Sequence, residues 1–152
     1  MNEARQPGIT CQLRVRYHET DAMGIVHHAN YLHWFEVGRT EYLRAVGMTY
    51  RSLEEQGIAS PVIGIRSRYH HPARYDDPIE LETWVQAYNG VRLTMGYAVR
   101  CAGRLLCSGR SEHAFTDQGR AVAPKRSLPS VHAILSACAL ADLPLADKAA
   151  RA

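Results

Sequence analysis

No apolar stretch in this sequence approaches the roughly 20 residues that a membrane-crossing helix needs. The opening segment, residues 1–10, is polar and carries Pro7-Gly8 where a secretory leader would be apolar. Neither a membrane span nor a leader is expected. The four cysteines, Cys11, Cys101, Cys107 and Cys138, include no C-x-x-C pair. Reduced core thiols in a cytoplasmic protein are the expectation, although Cys101 and Cys107 flank Gly103 and could face each other across a hairpin. Charge of one sign is scarce as well: the net charge is +3, with Lys and Arg scattered. That leaves no stripe for nucleic acid and at most a modest attraction to anionic metabolites. His18, His27, His28 and His33 match neither H-E-x-x-H nor H-x3-H spacing, so no metal is expected. A G-x-S-x-G elbow is missing too, which argues against a serine hydrolase.

What the chain does have is clear periodicity. From Cys11 to Tyr17 apolar and polar residues alternate, the period of a half-buried strand. Tyr31, Trp34, Phe35, Gly38, Tyr42 and Val46 then recur at helical spacing, predicting a helix from an Asn30 N-cap to about Val46, stopped by Gly47. Gly38 in mid-helix costs about 1 kcal/mol relative to Ala, and close approach to a sheet would be a reason to keep it. A short helix is predicted over residues 52–56. Period two follows over Pro61–His71, Ile79–Gln86, Leu93–Cys101 and Leu105–Phe115, with Asn89-Gly90 and Gly103 as turns. These read as four consecutive hairpin-linked strands. A last helix is predicted over Leu128–Leu143, and the Ala-rich end after Leu145 is expected to be mobile.

Four or five antiparallel strands need one face covered, and only one element is long enough to cover it. The expectation is a single α+β domain over residues 1–152, core about 11–130, its sheet wrapped around one buried helix.

The chemistry concentrates in Tyr17-His18-Glu19-Thr20-Asp21-Ala22-Met23-Gly24-Ile25-Val26-His27-His28-Ala29-Asn30-Tyr31. Here an acid, a glycine turn and two histidines precede the long helix. A carboxylate beside a helix N-terminus lies close to backbone N–H groups that stabilise developing negative charge. The plainer reading of Asp21 is an Asx turn or cap, and that of His28 is a surface residue. Tyr17 fits equally a buried tyrosine with a bonded hydroxyl. Trp34, Met23 and Met48 are candidates for an acyl pocket or for core packing. Glu36, Arg39 and Glu41 read as serving the helix or a subunit contact.

The block Tyr17, Thr20-Asp21, Gly24, His28-Ala29-Asn30-Tyr31, continued by Phe35-Glu36, Arg39-Thr40-Glu41, Leu43-Arg44 and Gly47, resembles the hotdog-fold acyl-CoA thioesterases of the 4-hydroxybenzoyl-CoA thioesterase superfamily. It is most similar to their Tol-Pal-associated branch. Pro72-Ala73, Asp76-Asp77, Gly119-Arg120 and Pro124 extend the similarity over about residues 11–130.

The resemblance implies a hotdog fold and hydrolysis of an acyl-CoA to free acid and coenzyme A. Coenzyme A would be part of the substrate, with no separate cofactor. Asp21 would be nucleophile or general base, with His28 and Tyr17 as its polar partners and the N–H near His28 polarising the carbonyl. The site would lie across the interface of a homodimer, with dimers pairing into tetramers. Some members carry a basic run at the turn between the second and third core strands. This chain has only Arg92 there, so Arg92, Arg120, Lys125 and Arg126 are the candidates for the CoA phosphates. Hydrolysis of acyl groups on acyl carrier protein is the second enzyme reading, and a non-catalytic acyl-binding module the third. A hotdog dehydratase fits the Asp21–His28 block less well.

Overall fold

The structure, a computed structural model, describes residues 8–141. Alternation sets its first strand, β1 (Ile9–Arg14), in which Ile9, Cys11 and Leu13 are half-buried and the residues between them exposed. β1 stops short of Tyr17, which falls in a 3-10 turn over Tyr17–Glu19 rather than at a strand end. The long helix α1 (His28–Ala45) follows, burying Tyr31, Trp34, Phe35, Gly38 and Tyr42 as its periodicity predicts. Gly47, at φ 82°, ends the run. A short helix α2 (Tyr50–Glu55) is capped by the Thr49 hydroxyl.

The strands β2 (Ile58–Ala59), β3 (Val62–Tyr69), β4 (Pro78–Tyr88), β5 (Leu93–Cys101), β6 (Arg104–His113), β7 (Thr116–Asp117) and β8 (Arg120–Ala121) come next. The helices α3 (Pro124–Ser127) and α4 (Pro129–Ala141) close the described chain. The expected end of the last helix at Leu143, and the segment after Leu145, lie outside the described residues.

Five strands form one antiparallel sheet in the order β1-β4-β5-β6-β3. β4, β5 and β6 are joined by hairpins, with Asn89 Oδ1 accepting the Val91 and Arg92 N–H groups at the first turn. The expectation of four hairpin-linked strands fails at β3. Instead of pairing with β4, it crosses to the far edge and lies beside β6, with Tyr69 opposite Cys107. The link to β4 contains Pro72 and Ala73, and the Ala73 carbonyl is held by the Val26 N–H at 2.8 Å. That contact draws the link across the start of α1 instead of into a tight turn. A second sheet, β2-β7-β8, was not visible in the pattern because its strands are two residues long.

α1 lies against the sheet and is the element the strands wrap. Gly38 permits that contact, since a Cβ there would meet the Thr83 hydroxyl and come within 2.9 Å of a Leu81 methyl. Phe35 stacks on Tyr97 with ring centroids 4.4 Å apart. Arg39 is buried rather than on a surface. Its guanidinium meets His113 Nδ1 at 2.8 Å, and His113 Nε2 meets Ser111 Oγ, which in turn bonds the Tyr97 hydroxyl at 2.7 Å. Burial, then the Arg39 charge, pushes the His113 imidazole down to about 4. None of the four cysteines is in a disulfide; Cys107 faces Val99 and Cys101 faces Arg104. Among the described residues no helix is long and apolar enough to cross a membrane.

Candidate active site

The chain between β1 and α1 is held by one buried carboxylate. Glu19 is 6% exposed. Its Oε2 accepts the Arg16 N–H at 2.7 Å and its Oε1 the Trp34 indole N–H at 3.0 Å. Its carbonyl accepts the His27 N–H at 2.9 Å and the Asn30 side-chain amide at 2.8 Å. Asn30 is thus inside the first helical turn, tying it back to the loop, and does not cap the helix. The cap is His27, whose Nδ1 accepts the Ala29 N–H at 3.2 Å while its carbonyl accepts the Asn30 N–H.

Between these anchors a Thr20–Val26 bridge closes a tight loop. Asp21 N–H bonds the Ile25 carbonyl, and Gly24, at φ 74°, returns its N–H to the Asp21 carbonyl. Only a residue at ease in the left-handed region turns here without strain. Asp21 Oδ1 accepts the Met23 N–H at 2.9 Å. The Asx-type bond is therefore present, and it fixes the carboxylate's direction.

Asp21 and His28 both line a pocket of about 330 Å³. One wall comes from the loop and the first turn of α1, adding Met23, Ile25, Val26 and Tyr31; the other comes from Tyr69, the last residue of β3, and the three residues that follow it, to Pro72. Tyr31 and Tyr69 join the walls, edge to face at 5.2 Å. The Tyr69 hydroxyl donates to the His28 carbonyl at 3.0 Å. His28 stacks on His27 with ring centroids 4.2 Å apart. Burial pushes the Tyr31 hydroxyl up to about 12, so it stays protonated at neutral pH. The site thus sets a carboxylate beside the N-terminus of an 18-residue helix, above a largely apolar pocket.

The chain is similar to known proteins in sequence and in fold. The sequence profile of the Thioesterase-like superfamily matches residues 15–143. YneP of Bacillus subtilis (strain 168), a candidate acyl-CoA thioesterase by name, is 42% identical over 108 residues, 70% of this chain and 78% of its own. The acyl-CoA thioesterase YbgC of Haemophilus influenzae is 42% identical over 87 residues, 57% of this chain and 64% of its own. The crystal structure of a DHNA-CoA thioesterase from Staphylococcus aureus superposes with a TM-score of 0.80 at 32% identity, covering 84% of this chain and 87% of that one. The chain belongs to the thioesterase-like superfamily. Its fold is the hotdog fold of those thioesterases.

Within this thioesterase-like chain the predicted site residues separate. Asp21 and His28 share the pocket, whereas Tyr17 is 78% exposed, packs edge-on against Tyr75 at 5.5 Å, and is outside the lining. Of the acyl-pocket candidates Met23 lines it, while Trp34 and Met48 belong to the core. Arg92, Arg120, Lys125 and Arg126 are exposed and none lines the pocket. Arg92 follows the Asn89 turn, whose Gly90 carbonyl takes the Lys125 N–H at 3.0 Å, so that turn and α3 are neighbours. Among the described residues no three His, Cys, Asp or Glu side chains gather as a metal site.

Sequence reasoning missed Glu19, Tyr69, His70 and His71. The available signal for the last two was a histidine pair directly before Pro72-Ala73, at the end of an alternating strand.

Proposed function

We propose that this protein hydrolyses acyl-CoA thioesters to a free acid and coenzyme A, with Asp21 as the catalytic carboxylate. The observation that carries the reading is the placement of Asp21 and His28 on one pocket at the N-terminus of α1. Superfamily membership supports the reaction class.

Asp21 Oδ1 is engaged by Met23, so Oδ2 is the oxygen that acts. It either attacks the thioester carbonyl, giving a mixed anhydride and releasing thiolate, or takes a proton from the water that attacks. In the second route water supplies the acid's new oxygen; in the first, water hydrolyses the anhydride, releasing the acid and regenerating the Asp21 carboxylate. The carbonyl oxygen gathers charge as the tetrahedral intermediate forms. His27 takes the Ala29 and Asn30 N–H groups, which makes the His28 N–H the donor for that oxygen. A preorganised donor of this kind contributes on the order of 3 kcal/mol. Thiolate leaves without a strong general acid, which explains how so sparse a site suffices.

We place the working unit as a homodimer paired through β3, in the cytoplasm. β3 is an edge strand, and Val62, Ile63, Ile65 and Tyr69 on it are all more than 40% exposed. An open apolar edge invites a second copy. Tyr69 is at once on that edge and in the pocket lining, so a partner there would complete the site. The phosphates of coenzyme A would then meet basic residues such as Arg92 and Lys125, from either protomer.

The test is thiol release from a panel of acyl-CoAs running from short to long aliphatic chains and including benzoyl and phenylacetyl forms. Turnover of at least one class supports the reading; a panel with none hydrolysed overturns it and leaves an acyl-binding protein.

A further inference from the structure

The first peptide unit of α1, between His28 and Ala29, is held from both sides. Its carbonyl accepts the Tyr69 hydroxyl at 3.0 Å, and that hydroxyl in turn accepts from Ser67 Oγ at 2.9 Å. Its N–H donates to His27 Nδ1 at 3.2 Å. The next N–H, that of Asn30, goes to the His27 carbonyl at 3.0 Å. These contacts set the direction of the remaining N–H of the turn, that of His28, which the hydrolytic reading aims at the thioester carbonyl. His28 lines the pocket and His27 is outside the lining. His27 therefore acts on that N–H only through the helix start.

An imidazole is an uncommon cap. Ser, Thr, Asp and Asn are the usual ones, and their oxygens accept an N–H at neutral and mildly acidic pH alike. An imidazole accepts only while neutral. With Nδ1 as the acceptor the ring proton is on Nε2, and a second proton turns Nδ1 into a donor facing the Ala29 N–H. The cap is then lost, and a cation sits at the positive end of the helix dipole. The groups around the ring do not relieve this. The basic His28 ring stacks on it with centroids 4.2 Å apart, and Tyr69 of β3 meets His28 edge to face at 6.4 Å. The Glu19 carbonyl holds the His27 N–H, but the Glu19 carboxylate is turned to the Arg16 N–H and the Trp34 indole. Asp21 Oδ1 is engaged by the Met23 N–H. Among the described residues no carboxylate forms an ion pair with the His27 ring.

We propose that His27 is a positioning residue for hydrolysis: its neutral imidazole holds the carbonyl-polarising N–H in place, and protonation of the ring releases it. This rests on the hydrolytic reading of the neighbouring pocket. Turnover then carries an acid limb that belongs to a residue outside the pocket, in the range of about pH 5 to 8 where imidazoles change charge. The limb is separate from any titration of Asp21 or His28, because a cap that cannot be protonated removes it.

The experiment measures kcat and KM from about pH 5 to pH 8 for wild type, His27→Asn and His27→Ala, on the acyl-CoA that wild type turns over best. Thermal midpoints at each pH confirm that all three are folded. Asn keeps an oxygen for the Ala29 N–H at every pH. Its kcat at the alkaline end is expected within about threefold of wild type, and its loss on acidification about fivefold smaller, the worth of one helix cap. His27→Ala is expected to lower kcat about fivefold at the alkaline end while KM changes less than about twofold. The Ala29 amide resonance is expected to move with pH in wild type and to stay in His27→Asn. An Asn variant that keeps the whole wild-type acid limb, or an Ala variant with wild-type kcat, overturns the inference and leaves hydrolysis intact. Absence of turnover by wild type on every thioester removes the hydrolytic reading and this inference with it.

Discussion

The carboxylate of Glu19 and the indole of Trp34 meet at 3.0 Å inside the molecule, joining the loop that carries Asp21 to the buried face of α1. Loop position and helix position are thereby one variable. Glu19→Ala would strand the Trp34 N–H and the Arg16 N–H, each costing about 1–3 kcal/mol if left unsatisfied. The expected outcome is a lowered thermal midpoint together with reduced hydrolysis, because Asp21 loses its registration against the helix. Glu19→Gln keeps an acceptor and should lose less of both. Calorimetry and initial rates on the two variants check this; an Ala variant as active as wild type would show that the loop holds itself.

Gly38 has no room for a side chain. Gly38→Ala gains about 1 kcal/mol of helix propensity but forces a methyl onto Thr83 and Leu81, an overpacking that costs about 1–3 kcal/mol. Thr83 Oγ1 has no hydrogen-bond partner among the described residues and cannot escape into one. The net cost is up to about 2 kcal/mol, a drop in thermal midpoint of up to about 8 °C for a chain of this size. A rise would mean that α1 and β4 separate readily.

His113 makes stability depend on pH. Its folded value of about 4 lies below the ordinary 6.5, so between those values the unfolded chain binds a proton that the folded chain refuses. Stability from this group is complete above about pH 6.5 and is lost as pH falls toward 4. The slope is at most about 1.4 kcal/mol per pH unit. Denaturant titrations at pH 7 and pH 5 are expected to show a smaller difference for His113→Gln than for wild type. Equal differences would place the titrating group elsewhere.

The β3 edge supplies a test of assembly. Ile63 is 52% exposed on it, and a lysine there is a standard device against edge-to-edge pairing. Ile63→Lys is expected to shift the protein toward monomer in sedimentation and to lower turnover in parallel. Monomeric wild type, or a fully active monomeric variant, would contradict the proposed working unit.

Local pattern and distant contact were not equally legible. The buried face of α1, its stop at Gly47 and the β4–β5–β6 meander follow from spacing and turn residues alone, because neighbours in sequence decide them. The position of β3 depends on pairing Tyr69 with Cys107, which no alternation encodes. Glu19 was overlooked for a related reason. A glutamate in a loop reads as solvated, and only the fold brings Trp34 to it. Asn30 looked like a cap by type, yet His27 holds that place and Asn30 bonds backward to the Glu19 carbonyl. The motif that placed Asp21 beside the helix start was readable because its parts are close in sequence, whereas the wall after β3 is not part of it.

The most direct test is hydrolysis of the best acyl-CoA by wild type, Asp21→Asn and Asp21→Ala, at equal folded concentration. Asn keeps an oxygen able to hold the Met23 N–H, so the loop survives while the carboxylate is gone. Turnover is predicted to fall at least about 10²-fold in both variants with the thermal midpoint kept in Asp21→Asn. Wild-type rates in Asp21→Asn would contradict the account, leaving Asp21 as a turn residue and nothing more.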